Sequence, residues 1–263
     1  MLEMQIPFFD SEKIAVSGQC FRWQRLAKNR YRIPAFGQSL TLTQQEEGRI
    51  QVDCSLAQWD SLWARYFDMD GDYPAWTAAI DPTDDYLQAA AVSARGVRVL
   101  RQPLWETLAS FLISQNNNIP RIQKSLRLLC KGAEEGFVSP DEIAQASPEM
   151  LREAGLGYRA PYLQAAARRY LRDGLTDGSS LGSLGEARAY LQSYQGVGPK
   201  VADCVCLYGL GLKDAFPMDV WVKRILSRHY EGVFPLMRYE GFSGVLQQWM
   251  FYYERETEGK LHP

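Results

Sequence analysis

The sequence predicts a mainly α protein with an N-terminal α+β part: an antiparallel β-sheet subdomain over residues 1–90, then a helical region over residues 91–263. Two observations carry this expectation. Four short segments that alternate or use β-formers crowd the first 53 residues, and turn signals separate them. From about Pro103 to the end the apolar spacing becomes helical, with prolines and capping residues where helices would start. No internal repeat or low-complexity segment interrupts that order.

Taken in order, residues 20–24, 30–33, 40–44 and 49–53 read as strands, set apart by Lys28-Asn29, Gly37 and Glu47-Gly48. Trp59, Leu62, Trp63 and Tyr66 then recur at helical spacing. Pro103 and Pro120 sit where helices would begin, and Gly132 where one would stop. Ser147 with Pro148 forms an N-cap followed by proline at the first helical position, and Ser183 with Glu186 matches a capping box. Asp219 is placed to cap a helix through Val220, Val222, Ile225 and Leu226.

Composition narrows the classes. Hydrophobic content of 46% and charged content of 23% are ordinary for a soluble globular chain, and no apolar run is long enough to span a bilayer. Residues 1–10 carry Glu3 and Asp10 and lack a basic start followed by an apolar stretch, so no secretion signal is expected. Five cysteines at irregular spacing suggest no disulfide framework, and His229 and His262 are the two histidines. No metal or cofactor is therefore expected. A net charge of −2 argues against unspecific coating of nucleic acid, but not against basic groups gathered on one face.

The most informative stretch runs from Tyr194 to Cys204. A capped helix ends near Tyr194, the tight turn Gly196-Val197-Gly198 follows, and Pro199 opens the next helix. Such glycines let backbone N–H groups approach an anion, and the new helix N-terminus adds its positive dipole end. A plain helix–helix turn would look the same. Lys200 shifts the balance, because a first-turn lysine stands at the end of the dipole that disfavours a cation. Burial there favours the neutral amine that a nucleophile must be. Asp219 lies 19 residues on, so one helix and a short loop would bring the two side chains together.

A helix–hairpin–helix followed by a loop bearing proline and aspartate resembles the superfamily of base-excision DNA glycosylases, whose bifunctional members carry lysine at the place of Lys200. Further stretches narrow the resemblance to 8-oxoguanine DNA glycosylases: Gly18-Gln19-Cys20-Phe21-Arg22-Trp23, Asn116-Asn117-Asn118-Ile119-Pro120-Arg121-Ile122, Leu156-Gly157-Tyr158-Arg159-Ala160, and the run from Lys200 to Cys206. The likeness covers essentially the whole chain in the expected order.

The resemblance implies roles. Lys200 would displace the damaged base, hold the sugar as a Schiff base and nick the DNA by β-elimination, with Asp219 stabilising charge on the sugar. The target nucleotide must be flipped out of the duplex. Asn116, Arg121 and Arg159 would bond the cytosine left behind, and Tyr158 would fill the gap in the stack. The Gly18 carbonyl would accept the N7–H that 8-oxoguanine has and guanine lacks. Gln247 would bond the base edge, with Gln248 an adjacent competitor for that role. Phe251 would stack on one face of the base and Cys204 would pack on the other. Trp221 departs from the better-known relatives, which carry a histidine near a DNA phosphate there. The expected partner is duplex DNA bearing 8-oxoguanine opposite cytosine, and the expected state is a cytoplasmic monomer with no membrane contact, at the nucleoid if the source is bacterial.

Three alternatives fit less well. A monofunctional alkylbase glycosylase would keep Asp219 but lack a lysine at position 200. Endonuclease III or adenine glycosylase relatives usually carry a C-terminal four-cysteine cluster, and no cysteine follows Cys206. A non-catalytic helix–hairpin–helix module would need only the glycine turn.

Overall fold

A computed structural model describes residues 1–132, 135–176 and 178–259, so His262 lies outside it. Its sheet has five strands: β1 (Leu2–Gln5), β2 (Gln24–Ala27), β3 (Arg30–Ala35), β4 (Gln38–Glu46) and β5 (Arg49–Val52). Their order is β1-β5-β4-β3-β2, antiparallel throughout. Tyr31, Ile33, Leu40, Leu42, Ile50 and Val52 fall on one buried face, as alternation along a half-buried sheet requires. That face packs on Trp59, Trp63 and Phe67, so the helical spacing over 59–66 is real, although Trp59–Trp63 is wound as a π-helix.

Two expectations for this part need correction. β1 is an additional strand, and residues 20–24 form no strand except at Gln24, where β2 begins. The apparent alternation there has another cause. Gly18 takes φ +81°, and the Gln19 side chain is buried, donating to the carbonyl of Arg98 and accepting from the N–H of Leu100. The chain then crosses between two cores, with Cys20 in the sheet core and Phe21 packed edge-on against Phe111 in the helical core. Arg22 follows with an ion pair of 3.0 Å to buried Glu106.

Helices also begin earlier than Pro103. α1 (Ser11–Val16) is capped by Asp10, and α2 (Asp85–Ser93) by Asp84. The site rests on seven later helices: α3 (Leu104–Ser114), α4 (Ile119–Leu129), α5 (Ala160–Asp173), α6 (Leu184–Gln192), α7 (Pro199–Tyr208), α8 (Val220–His229) and α9 (Ser243–Thr257). The expected caps are present: Ser147 accepts from the Met150 N–H, Ser183 and Glu186 form the capping box, and Asp219 caps α8. α3 packs on α7, and α9 on both α2 and α8, which brings the C-terminal helix beside the turn at Gly18. Among the described residues no helix is long and apolar enough to cross a membrane.

Candidate active site

The hairpin between α6 and α7 is built by two glycines with different tasks. Gly196 takes φ +82°, and a Cβ there would lie 2.6 Å from Cγ of Tyr162, so both conformation and space demand glycine. Val197 is the buried anchor of the turn, its N–H donating to the Tyr194 carbonyl at 3.1 Å. Gly198 is the N-cap of α7, and a Cβ there would meet nothing within 4 Å. No side chain caps this helix, so the first-turn N–H groups that a capping side chain would take are left to an outside acceptor.

Lys200 follows in that first turn, half-buried, with Nζ 5.0 Å from the centre of the Phe111 ring. Asp219 reaches the same place from the cap of α8. Its Oδ1 accepts from the N–H groups of Trp221 and Val222, each at 2.9 Å, which fixes the carboxylate while leaving Oδ2 out of the cap. Burial holds its pKa above the usual aspartate value, although the cap N–H groups and the charges of Lys200 and Arg255 pull the other way. The two groups line one cavity of about 310 Å³ together with Gly18, Phe251, Trp221 and Arg255. They make no direct salt bridge.

Gly18 lines the same cavity. A Cβ there would lie 3.0 Å from Cε1 of Phe251, so the glycine is what lets the turn and the ring approach. One turn before Phe251 on α9, Gln247 and Gln248 are both buried but differ in their partners. Gln248 donates to the Ser17 carbonyl at 2.9 Å and accepts from the Tyr208 hydroxyl. Oε1 of Gln247 is buried with no partner among the described residues. Of the two glutamines, Gln247 therefore has the unmet acceptor. Gln247 and Cys204 do not themselves line the cavity. Cys204 lies one turn after Lys200, where burial pushes its thiol up to about 11 against the opposing pull of the lysine.

A second, open groove of about 700 Å³ shares Lys200, Asp219 and Trp221 and extends past Asn116, Tyr158, Gly198 and Lys223. The asparagine run divides by task. Asn118 caps α4, accepting from the Arg121 N–H at 3.0 Å, and Asn117 donates back to the Ile113 carbonyl. Asn116 is left exposed at φ +52°. Arg121 is exposed on the first turn of α4, and Tyr158 is 54% exposed at the groove. Arg159 is buried, and each of its three nitrogens donates to a carbonyl: Gln115 at 2.7 Å, Asn116 at 2.8 Å and Leu156 at 3.4 Å. It braces the Asn116 loop, with two of its five N–H groups left over.

Sequence reading missed Arg255. It continues the spacing of Gln247 and Phe251 by one more helical turn, and that spacing was the signal available for it.

Comparison with known proteins agrees with this layout. Residues 1–108 match the family "8-oxoguanine DNA glycosylase, N-terminal domain", and residues 109–232 match the "HhH-GPD superfamily base excision DNA repair protein" family. The chain is 34% identical to MBOgg1, solved with a low-affinity DNA ligand, covering 96% of this chain and 94% of that one at a TM-score of 0.88. It is 29% identical to the Clostridium acetobutylicum 8-oxoguanine glycosylase/lyase, solved with double-stranded DNA containing cytosine opposite 8-oxoG, covering 96% and 93% at a TM-score of 0.87. It is also 40% identical over 165 residues to the N-glycosylase/DNA lyase of Saccharomyces cerevisiae, a match spanning 54% of this chain and 44% of that protein. From the sheet at its N-terminus to the hairpin that carries Lys200, this chain belongs to the 8-oxoguanine DNA glycosylase family within the HhH-GPD superfamily of base excision DNA repair proteins.

Proposed function

We propose that this protein excises 8-oxoguanine from duplex DNA and nicks the DNA at the vacated site. One observation carries the reading: Lys200 and Asp219, brought from two helix N-termini, line a single cavity together with Gly18 and Phe251. The Nζ lone pair of Lys200 attacks C1′, and the base departs with the electrons of the glycosidic bond. The sugar opens to a Schiff base on Nζ, and loss of a proton from C2′ then expels the 3′ phosphate. Asp219 offsets the positive charge that develops on the sugar, held in place by its own capping bonds.

The turn Gly196-Val197-Gly198 and the uncapped start of α7 bind a DNA phosphate through the backbone N–H groups of Gly196, Gly198 and the first turn beyond Pro199, while the Val197 N–H stays with the Tyr194 carbonyl. Tyr158 enters the stack where the nucleotide has left, and Asn116, Arg121 and Arg159 face the orphaned cytosine. The Gly18 carbonyl and Gln247 read the edge of the base, while Phe251 and Cys204 pack on its faces. Residues 1–90 supply the Gly18 wall and residues 91–263 the catalytic pair. The protein acts as a monomer in the cytoplasm, at the nucleoid if the cell is bacterial.

The test uses end-labelled duplexes bearing 8-oxoguanine opposite each normal base. Wild type is expected to release the base and nick, most rapidly opposite cytosine. Lys200→Gln is expected to keep lesion binding and lose both activities, and base release by that variant would refute the nucleophile assignment.

A further inference from the structure

We propose that Arg255 is a positioning residue for base reading, resting on the reading that this cavity receives the damaged base. Arg255 is only 7% exposed, an uncommon setting for a guanidinium. Nη1 donates to the Val16 carbonyl at 3.1 Å, and the same nitrogen stands 3.4 Å from where a Cβ of Gly18 would lie. Its guanidinium centre is 5.5 Å from the centre of the Phe251 ring. One side chain thus ties α9 to the backbone just before Gly18 and reaches both Gly18 and Phe251, which line the cavity that the base would enter.

Glycine at position 18 makes such a tie necessary. With no Cβ, and at φ +81°, the Gly18 peptide has no side-chain packing of its own to fix the direction of its carbonyl. Discrimination between N7–H and a bare N7 needs that carbonyl held to a fraction of an ångström. The Arg255 donor fixes the backbone two residues earlier, and its planar face keeps the Phe251 ring from drifting into the slot. A role through the walls, rather than through Lys200, sets a specific expectation. The Arg255 charge also acts on Asp219, so its loss slows nicking at a site that has already lost its base, but removal of the base slows by a larger factor.

The experiment compares wild type, Arg255→Met and Arg255→Lys on two duplexes, one with 8-oxoguanine opposite cytosine and one with a preformed abasic site opposite cytosine. Arg255→Met keeps the stem and loses the donor. Its single-turnover excision of 8-oxoguanine is expected to fall by at least about tenfold more than its abasic-site nicking does. Arg255→Lys restores a donor and is expected to recover part of the excision rate. Unchanged excision in both variants overturns the proposal. Equal loss on both duplexes overturns it too, because Arg255 would then be supporting the catalytic pair or the fold. Failure of wild type to excise 8-oxoguanine at all would instead sink the underlying reading of the cavity.

Discussion

Two adjacent glutamines on α9 show how far residue type alone can mislead and what resolves it. Gln247 and Gln248 are both amides, both buried and one position apart, and either could meet a base from sequence alone. Their hydrogen bonds separate them. Gln248 joins α9 to the Ser17 carbonyl and the Tyr208 hydroxyl, so Gln248→Ala is expected to lower unfolding free energy by about 1–3 kcal/mol by leaving those groups unpaired. Gln247 carries a buried oxygen without a partner among the described residues, a cost that folding alone does not justify. Gln247→Ala is therefore expected to leave stability nearly unchanged and to slow 8-oxoguanine excision. Chemical denaturation beside single-turnover assays checks both, and the reverse pattern would exchange their roles.

Among the elements, the hairpin shows the same division of labour. Gly196→Ala forces a left-handed φ on a residue with a Cβ and drives that atom into the Tyr162 ring, so a loss of about 2 kcal/mol or more is expected. Gly198→Ala meets no neighbour and changes stability by no more than about 1 kcal/mol, but places a methyl where a phosphate would approach. Its expected signature is weaker DNA binding, about tenfold, with an unshifted melting transition. The helix starts around this hairpin were legible because caps and prolines are local signals: Ser147, Ser183 and Asp219 act as their sequence neighbours suggest. The strand expected over 20–24 was not, because what fixes that segment is long-range. Gln19 is held by the backbone at Arg98 and Leu100, 79 and 81 residues away in sequence, and Phe21 by a helical core. Arg255 escaped for a related reason, since nothing near it in sequence reveals Val16 as its partner.

At the scale of the whole molecule, the crossing at residues 18–22 joins the sheet to the helical body and brings Gly18 into the cavity that Lys200 lines. Its anchor is the buried pair of Arg22 and Glu106. Burial raises the Glu106 pKa to about 7, with Arg22 opposing the shift only in part. A folded value above the unfolded one means that Glu106 contributes stability that is full below the ordinary glutamate value of 4.5 and is lost as pH rises through about 7. Compared with wild type, Glu106→Gln is expected to gain about 3 kcal/mol over that interval and to run parallel above it. Denaturation curves across the pH range test this, and a constant difference between the two proteins would contradict the linkage. The central claim is that Lys200 is the nucleophile. Its most direct measurement is borohydride reduction during reaction with an 8-oxoguanine duplex, followed by proteolysis and mass mapping of the adduct. The expected result is one sugar adduct on the peptide containing Lys200, dependent on the lesion. An adduct on another residue, or base release with no adduct at all, would contradict it.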